Sequence, residues 1–328
     1  MKIWTRAISI LITLVIIYVA VTQLDWTRLA ETFVKADLTF LGYALGIWGI
    51  LMAIKGIKWQ QLVAAVNGKI GFFESIRLLL IGLFISIATP GRLGDFARAF
   101  YIKDRVPLGK GIMAVLIDRA MDVLVLMGFA ILGLLLLAQT QGVEIFSPWM
   151  AVLLFVAAIA ATFMVLKRSW ARWVWQRVQG FLPEGYRSLL QRHGAEFYDA
   201  IPLFKKNFRN VIIAAFCTVA SWICSITFGW FIMLSLHYPL GWNAALIATP
   251  IFALVEIIPA GILGLGTREV ASVILLGAYG ISPENAVAFS LLFFALGYIP
   301  SFLLGALFFN RSPVRVNMQD LLSKKETK

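Results

Sequence analysis

Six apolar stretches, at roughly 4–22, 38–54, 112–138, 149–166, 211–234 and 285–309, are each long enough to cross a hydrocarbon core of about 30 Å as a helix. No other feature restricts the fold as strongly. In hydrocarbon every backbone polar group must find its partner within the protein, which leaves helices or a closed barrel, and runs of this length are helical. Composition agrees: 60% of residues are hydrophobic and 14% charged, against about 25% charged in soluble domains. The expected fold is an all-α polytopic membrane protein, a single transmembrane domain over 1–310 with a basic tail over 311–328.

Two further stretches, 72–104 and 244–281, are apolar but interrupted. In the first, Pro90, Gly91, Arg92, Leu93, Gly94 and Asp95 break the run. In the second, Pro259, Gly261, Gly264 and Gly266 precede Thr267, Arg268 and Glu269. Proline removes a donor and glycine weakens a helix, so each stretch reads as a broken, re-entrant helical hairpin. Irregular backbone at that depth is tolerated only against protein or a wet cavity.

The formal charge of +12 suggests headgroup contact and orientation rather than nucleic acid, because the bases cluster in a few loops. Lys2 and Arg6 precede the first span. Lys55, Lys58 and Lys69 are assigned to a loop after the second, and Lys103, Arg105 and Lys110 follow the first hairpin. Nine bases lie in 167–210, and more in the tail; the loops 139–148 and 235–243 have none, and 23–37 offsets Arg28 and Lys35 with acids. Both termini are therefore expected on the cytoplasmic face of the cell membrane. The first run has no small-x-small cleavage site and reads as a signal anchor. With this parity the two hairpins enter from opposite sides, the pattern of an inverted repeat. Within 167–210, Trp170, Trp173, Val178 and Phe181, then Leu190, Phe197, Ile201 and Phe204, keep helical spacing, so this segment is read as amphipathic helices in the cytoplasmic interface.

Seven ionisable residues fall at membrane depth or beside a break: Asp95, Asp118, Arg119, Asp122, Glu256, Arg268 and Glu269. A charge at the bilayer centre costs about 2.5–3.5 kcal/mol, so these groups must be paired, hydrated or near an interface. Asp118 and Asp122 share a helix face, and Arg119 is in reach of Asp122. The acids beside the breaks either cap the new helical segments or, with Arg92, Arg98 and Arg268, form a site for an anionic headgroup. Glu256 is the most isolated acid. Cys217 and Cys224, about 10 Å apart on one helix, are too distant for a disulfide. His193 and His237 stand in separate loops, and no metal site or cofactor is expected.

The run from Pro90 to Arg98, the pair Asp118–Arg119, and Ile258–Pro259 followed by Gly264 to Glu269 resemble the lysylphosphatidylglycerol synthase transmembrane family. The resemblance covers nearly the whole chain; Thr267 departs from the aliphatic residue many members carry there. It implies a flippase-like fold, with Asp95, Arg98, Arg268 and Glu269 at the family's polar positions. Bifunctional members continue into an aminoacyl-transferase domain. Here the sequence ends soon after the last span, so lysyl transfer and enzyme activity are not expected. Three readings follow: a flippase for anionic phospholipids or polyprenyl-phosphate lipids, a solute or ion transporter, or an accessory subunit docking a cytoplasmic biosynthetic enzyme.

Overall fold

The structure is a computed structural model that describes residues 26–88, 94–142, 153, 155–157, 159–160, 196–256 and 266–311. Its regular elements are helices: α1 (Trp26–Val34), α2 (Leu38–Ala65), α3 (Phe72–Ala88), α4 (Ala97–Tyr101), α5 (Leu108–Gln141), α6 (Phe208–Ser235), α7 (Trp242–Val255), α8 (Thr267–Gly277) and α9 (Pro283–Arg311). Leu38–Ala65, Leu108–Thr140, Phe208–Ser235 and Pro283–Arg311 are long and apolar enough to cross a membrane. At about 1.5 Å per residue, α2 and α6 extend about 42 Å, beyond the thickness of a hydrocarbon core. The expected spans at 4–22 and 149–166 lie outside the described residues, apart from a few positions of the second. So do most of the interfacial segment (167–195) and the tail from 312 onward.

Local chemistry explains where the helices start and stop. Asp37 caps α2, its Oδ1 accepting the Thr39 N–H at 2.7 Å. The helix ends where Asn67 turns left-handed at φ 63°, and the Asn67 and Gly68 N–H groups bond back to Ala64 and Val63. α6 ends in the same manner: His237 has φ 59°, and His237 and Tyr238 bond back to Leu234 and Met233.

That likeness extends to the whole chain path. Leu38 and Phe208, Phe72 and Trp242, and Ala97 and Thr267 start corresponding helices, and each pair is 170 positions apart. The packing is reciprocal too: α2 lies on α6, α5 packs on α7 as α9 packs on α3, and α4 meets α5 as α8 meets α9. α2 and α6 run antiparallel, because Asp37 N–H donates to Ser235 O at one end and Asn207 Nδ2 donates to Ala65 O at the other. The described helices therefore recur in order at a spacing of 170 positions, with α2 and α6 antiparallel.

Contacts tie together the two outer ends of each interrupted segment. Arg105, after α4, pairs with Glu74 and bonds to Lys69 O, both at the start of α3. Tyr238, before α7, donates to Asn285 O at the start of α9. Between them α7 is about 21 Å long and α8 about 17 Å. Lys69, Lys103 and Arg105 in the loops joined by Arg105, and Lys110 in the first turn of α5, lie at one end of the bundle, with Lys205, Lys206 and Arg209 beside Asn207 at the same end.

Two expectations need correction. Lys55 and Lys58 are not in a loop: α2 continues to Ala65, and Lys58 is buried. The helix survives these charges because both face the protein interior. The segment 23–37 holds a helix, α1, which buries Leu29 and hydrogen-bonds α9 through Thr32 and Asn285. The helical stretch 196–206 packs its apolar face on protein. Phe197, Ala200, Ile201 and Phe204 join a core with Trp59, Ile102 and Val106, and Glu196 accepts the Gly109 N–H at 3.1 Å.

Candidate functional site

The broken hairpins deliver their charges to two buried centres. In the first, α4 follows the break and carries Arg98 against α5. Arg98 Nη2 meets Asp118 Oδ2 at 2.8 Å and its guanidinium lies 4.5 Å from the Trp59 ring centroid. Lys58, from α2, reaches Asp118 Oδ1 at 2.8 Å and Asp122 Oδ1 at 2.7 Å. Arg119 Nη2 pairs with Asp95 Oδ2 at 3.0 Å, with Asp122 more distant at 3.9 Å. Lys58, Asp95, Arg98 and Asp118 are all below 5% exposed. Signs alternate through the cluster, which is the condition under which ions this deep are tolerable: a single one without a partner costs several kcal/mol.

The second centre is assembled by the equivalent elements. Arg268 stands on α8 at the position 170 beyond Arg98 and is also fully buried. Its Nη1 meets Glu256 Oε1 at 2.9 Å, and its Nε donates to Ser290 Oγ at 3.0 Å. Ser290 in turn donates to Glu269 Oε1 at 2.8 Å, and the Tyr298 hydroxyl donates to Glu256 Oε2. The rings of Phe294 and Tyr298 lie 5.1 Å and 5.8 Å from the guanidinium carbon. Ser290, Phe294 and Tyr298 are four residues apart and so form one face of α9.

Of the two readings of the break acids, capping holds for Glu269 and not for Asp95. Glu269 Oε2 accepts the Gly266 N–H, while Gly266 takes a φ of 94° that side chains rarely allow. Asp95 makes no such cap; its carboxylate serves Arg119 and, at 3.9 Å, Arg98. The structure thus brings together Asp95, Arg98, Asp118, Arg119 and Asp122 in one place and Glu256, Arg268 and Glu269 in another. Gly94 and Gly266 are described, whereas Pro90, Gly91, Arg92, Pro259 and Gly264 lie outside the described residues.

A cavity of about 160 Å³ is lined by the first centre and reaches the second at Tyr298. Lys55, Lys58, Asp95, Asp118 and Arg119 line one side, and Tyr298, the hydrogen-bond partner of Glu256, lines the other. Leu51, Leu79, Leu83 and Phe302 complete the wall with apolar surface. In this conformation it is smaller than the roughly 300–1,000 Å³ of small-molecule sites, and it suits a compact polar group with water. Among the described residues each carboxylate of the first centre is already held by a cation, so none is set up to bind a metal.

Sequence reading missed Lys55, Lys58, Ser290 and Tyr298. Lys55, Lys58 and Trp59 do follow helical spacing, but the hydropathy fall after 54 hid their helix. Ser290 and Tyr298 are single polar residues in an apolar run and carry no signal without their partners. Tyr298→Phe is expected to destabilise the protein by about 1.5–3 kcal/mol, the scale of a buried hydrogen bond to a charged group. Thermal unfolding in detergent checks this, and an unchanged midpoint would show that Glu256 does not depend on the phenol.

The sequence pattern described as "Lysylphosphatidylglycerol synthase TM region" matches residues 6–305. The UPF0104 membrane protein MJ1595 of Methanocaldococcus jannaschii is 22% identical, over 93% of this chain and 94% of its own. The UPF0104 membrane protein PH1989 of Pyrococcus horikoshii is 24% identical over 85% and 89%. The glycosyltransferase AglD of Haloferax volcanii is 25% identical over 43% of this chain but only 23% of its own length.

Proposed function

We propose that this chain, which belongs to the lysylphosphatidylglycerol synthase transmembrane-region family, moves an anionic lipid between the two leaflets of the cell membrane. The headgroup travels through the polar cavity while the acyl or prenyl tails remain in hydrocarbon. The observation that carries this reading is a pair of buried charge centres, each beside an interruption in an apolar run, with a cavity that is lined by the first centre and reaches Tyr298 of the second. Fixed charges at membrane depth mark substrate paths more often than structure alone. An inverted repeat with broken helices meeting near the midplane is the architecture of alternating access.

On this reading the hairpins α3–α4 and α7–α8 are re-entrant from opposite sides, and the spans number six when 4–22 and 149–166 are counted. The basic end of the bundle faces the cytoplasm, with both termini. The first centre lines the cavity with cations and acids, and Tyr298 connects it to Glu256 of the second. An anionic headgroup would exchange one set of partners for the other as it moves, so that it is never wholly desolvated. No chemical step is required of the protein.

Wild-type protein in proteoliposomes, with labelled anionic phospholipids and polyprenyl phosphates supplied singly, is expected to exchange one of these classes between leaflets. Competition by water-soluble solutes with no lipid exchange would favour a solute transporter instead. The partial similarity to AglD supports a second reading, an accessory subunit of a glycan-building enzyme. Activity that appears only when a co-purified transferase is present would favour that one.

A further inference from the structure

α9 closes tightly on α3 at one level and leaves a gap one turn further out. A Cβ on Gly305 would overlap the Leu80 carbonyl and the Phe84 side chain. Three residues on along α9 and three back along α3, toward the basic end of the bundle, Phe308 shares a groove of about 550 Å³ with Ile76 and Arg77. Phe73 and Glu74 complete its wall, and Phe73 is 82% exposed, so the groove opens on the outer surface of the bundle. One charge in it is unbalanced. Glu74 is committed, because Arg105 donates to both of its oxygens. Arg77 has no acid within 4 Å among the described residues, and its Nε is enclosed without a hydrogen-bond acceptor. An arginine that only reached for water would leave this N–H wet; a buried donor without a partner calls for an acceptor from outside the chain. Arg77 also stands within a turn and a half of the start of α3, where a long basic side chain reaches the phosphate layer. The 170-position recurrence does not impose this charge. Ile247 holds the matching place on α7, is 1% exposed and packs on α5 beside Gly133. Protein there fills the space that stays open beside Arg77.

We infer that this α3–α9 groove holds an anionic phospholipid from the leaflet at the basic end, with its phosphate on the Arg77 guanidinium and an acyl chain against Phe73, Ile76 and Phe308. Guanidinium N–H groups match the oxygens of a phosphodiester, and three apolar side chains suit hydrocarbon. The volume lies within the range of small-molecule sites. Lys69, just before α3, and Arg311, at the end of α9, are both exposed at this end and favour a lipid of net negative charge over a zwitterionic one. The groove shares no lining residue with the cavity. It is a site for a resident lipid on the outside of the bundle, and it does not rest on the translocation reading.

The test uses full-length protein in phosphatidylcholine vesicles that carry a small fraction of phosphatidylglycerol with a diazirine in its acyl chain. After illumination, label is expected within 72–77 and 305–311, and unlabelled phosphatidylglycerol should compete it away. Phosphatidylcholine bearing the same diazirine should label the groove weakly. At sub-saturating probe, Arg77→Gln should cut the labelling roughly tenfold, the scale of one charge-assisted hydrogen bond. Arg77→Lys keeps the charge and should lose only a few-fold, and both variants should keep the wild-type thermal midpoint. Equal labelling by the two probes, or full labelling of folded Arg77→Gln, overturns the site. Label confined to cavity residues such as Met52 and Leu83 also overturns it, while leaving the translocation reading intact. Arg77-dependent label in the groove, with no leaflet exchange of any lipid, upholds the site and counts against translocation.

Discussion

Asp118→Ala is expected to lower stability by about 3–5 kcal/mol, the cost of removing one partner from a buried ion group. The carboxylate accepts Lys58 on one oxygen and Arg98 on the other, each at 2.8 Å. Without it, among the described residues, Arg98 keeps Asp95 O at 3.2 Å, a carboxylate at 3.9 Å and the Trp59 ring, in a place with 1% exposure. Lys58 keeps Asp122. A loss of this size approaches the whole stability of many domains. Adding Arg98→Met should recover part of the loss, because it removes the stranded charge, and the double variant should be less damaged than the sum of the singles. Unfolding in detergent or bicelles reads this directly, and a loss below about 1 kcal/mol for Asp118→Ala would contradict the ion network.

Gly94→Ala is expected to be about as damaging, for a different reason. A Cβ on Gly94 would overlap the backbone of Ile85 and Ser86 on α3. Overpacking commonly costs about 1–3 kcal/mol when side chains can adjust. Here the obstacle is main chain, so α3 and the segment bearing Asp95 must separate, and a loss at or above the top of that range is expected. The displacement also draws Asp95 from Arg119 and Arg98 from Asp118. The variant should therefore lose lipid exchange even at temperatures where it remains folded. Gly94→Ala with wild-type stability would mean that α3 and the first break do not approach so closely.

The membrane class was legible because length and apolarity act over twenty residues at a time and need no tertiary context. The interruptions were legible for a similar reason: proline and glycine next to charge in an apolar run break a helix, and helices end at Ala88 and Val255 and begin again at Ala97 and Thr267. The bounds were not. α2 was expected to stop near 54 because Lys55 and Lys58 lower its hydropathy, yet it runs to Ala65. A charged residue facing a buried acid cannot be told from one facing water until the acid's helix is placed. The same limit separated the halves of the candidate site. Asp118 and Asp122 could be put on one face, but their partner Lys58 lies 60 residues before Asp118. Glu256 stood out as isolated, and its isolation ends at Arg268 and Tyr298, which only folding brings to it. The repeat was suggested by the matching breaks; the 170-residue displacement and the equivalence of Arg98 with Arg268 became visible from helix starts and not from shared residues.

The central claim, that the two charge centres form one path for a lipid headgroup, is tested most directly by leaflet exchange in proteoliposomes. Wild type is compared there with Asp95→Asn and Glu269→Gln. Each variant alters one centre while keeping its shape, and thermal midpoints establish that the protein is folded. The predicted result is exchange by wild type of an anionic lipid and a loss of roughly tenfold or more in both variants, since a buried charge-assisted contact on the path is removed in each. Exchange at the wild-type rate in both folded variants would contradict it.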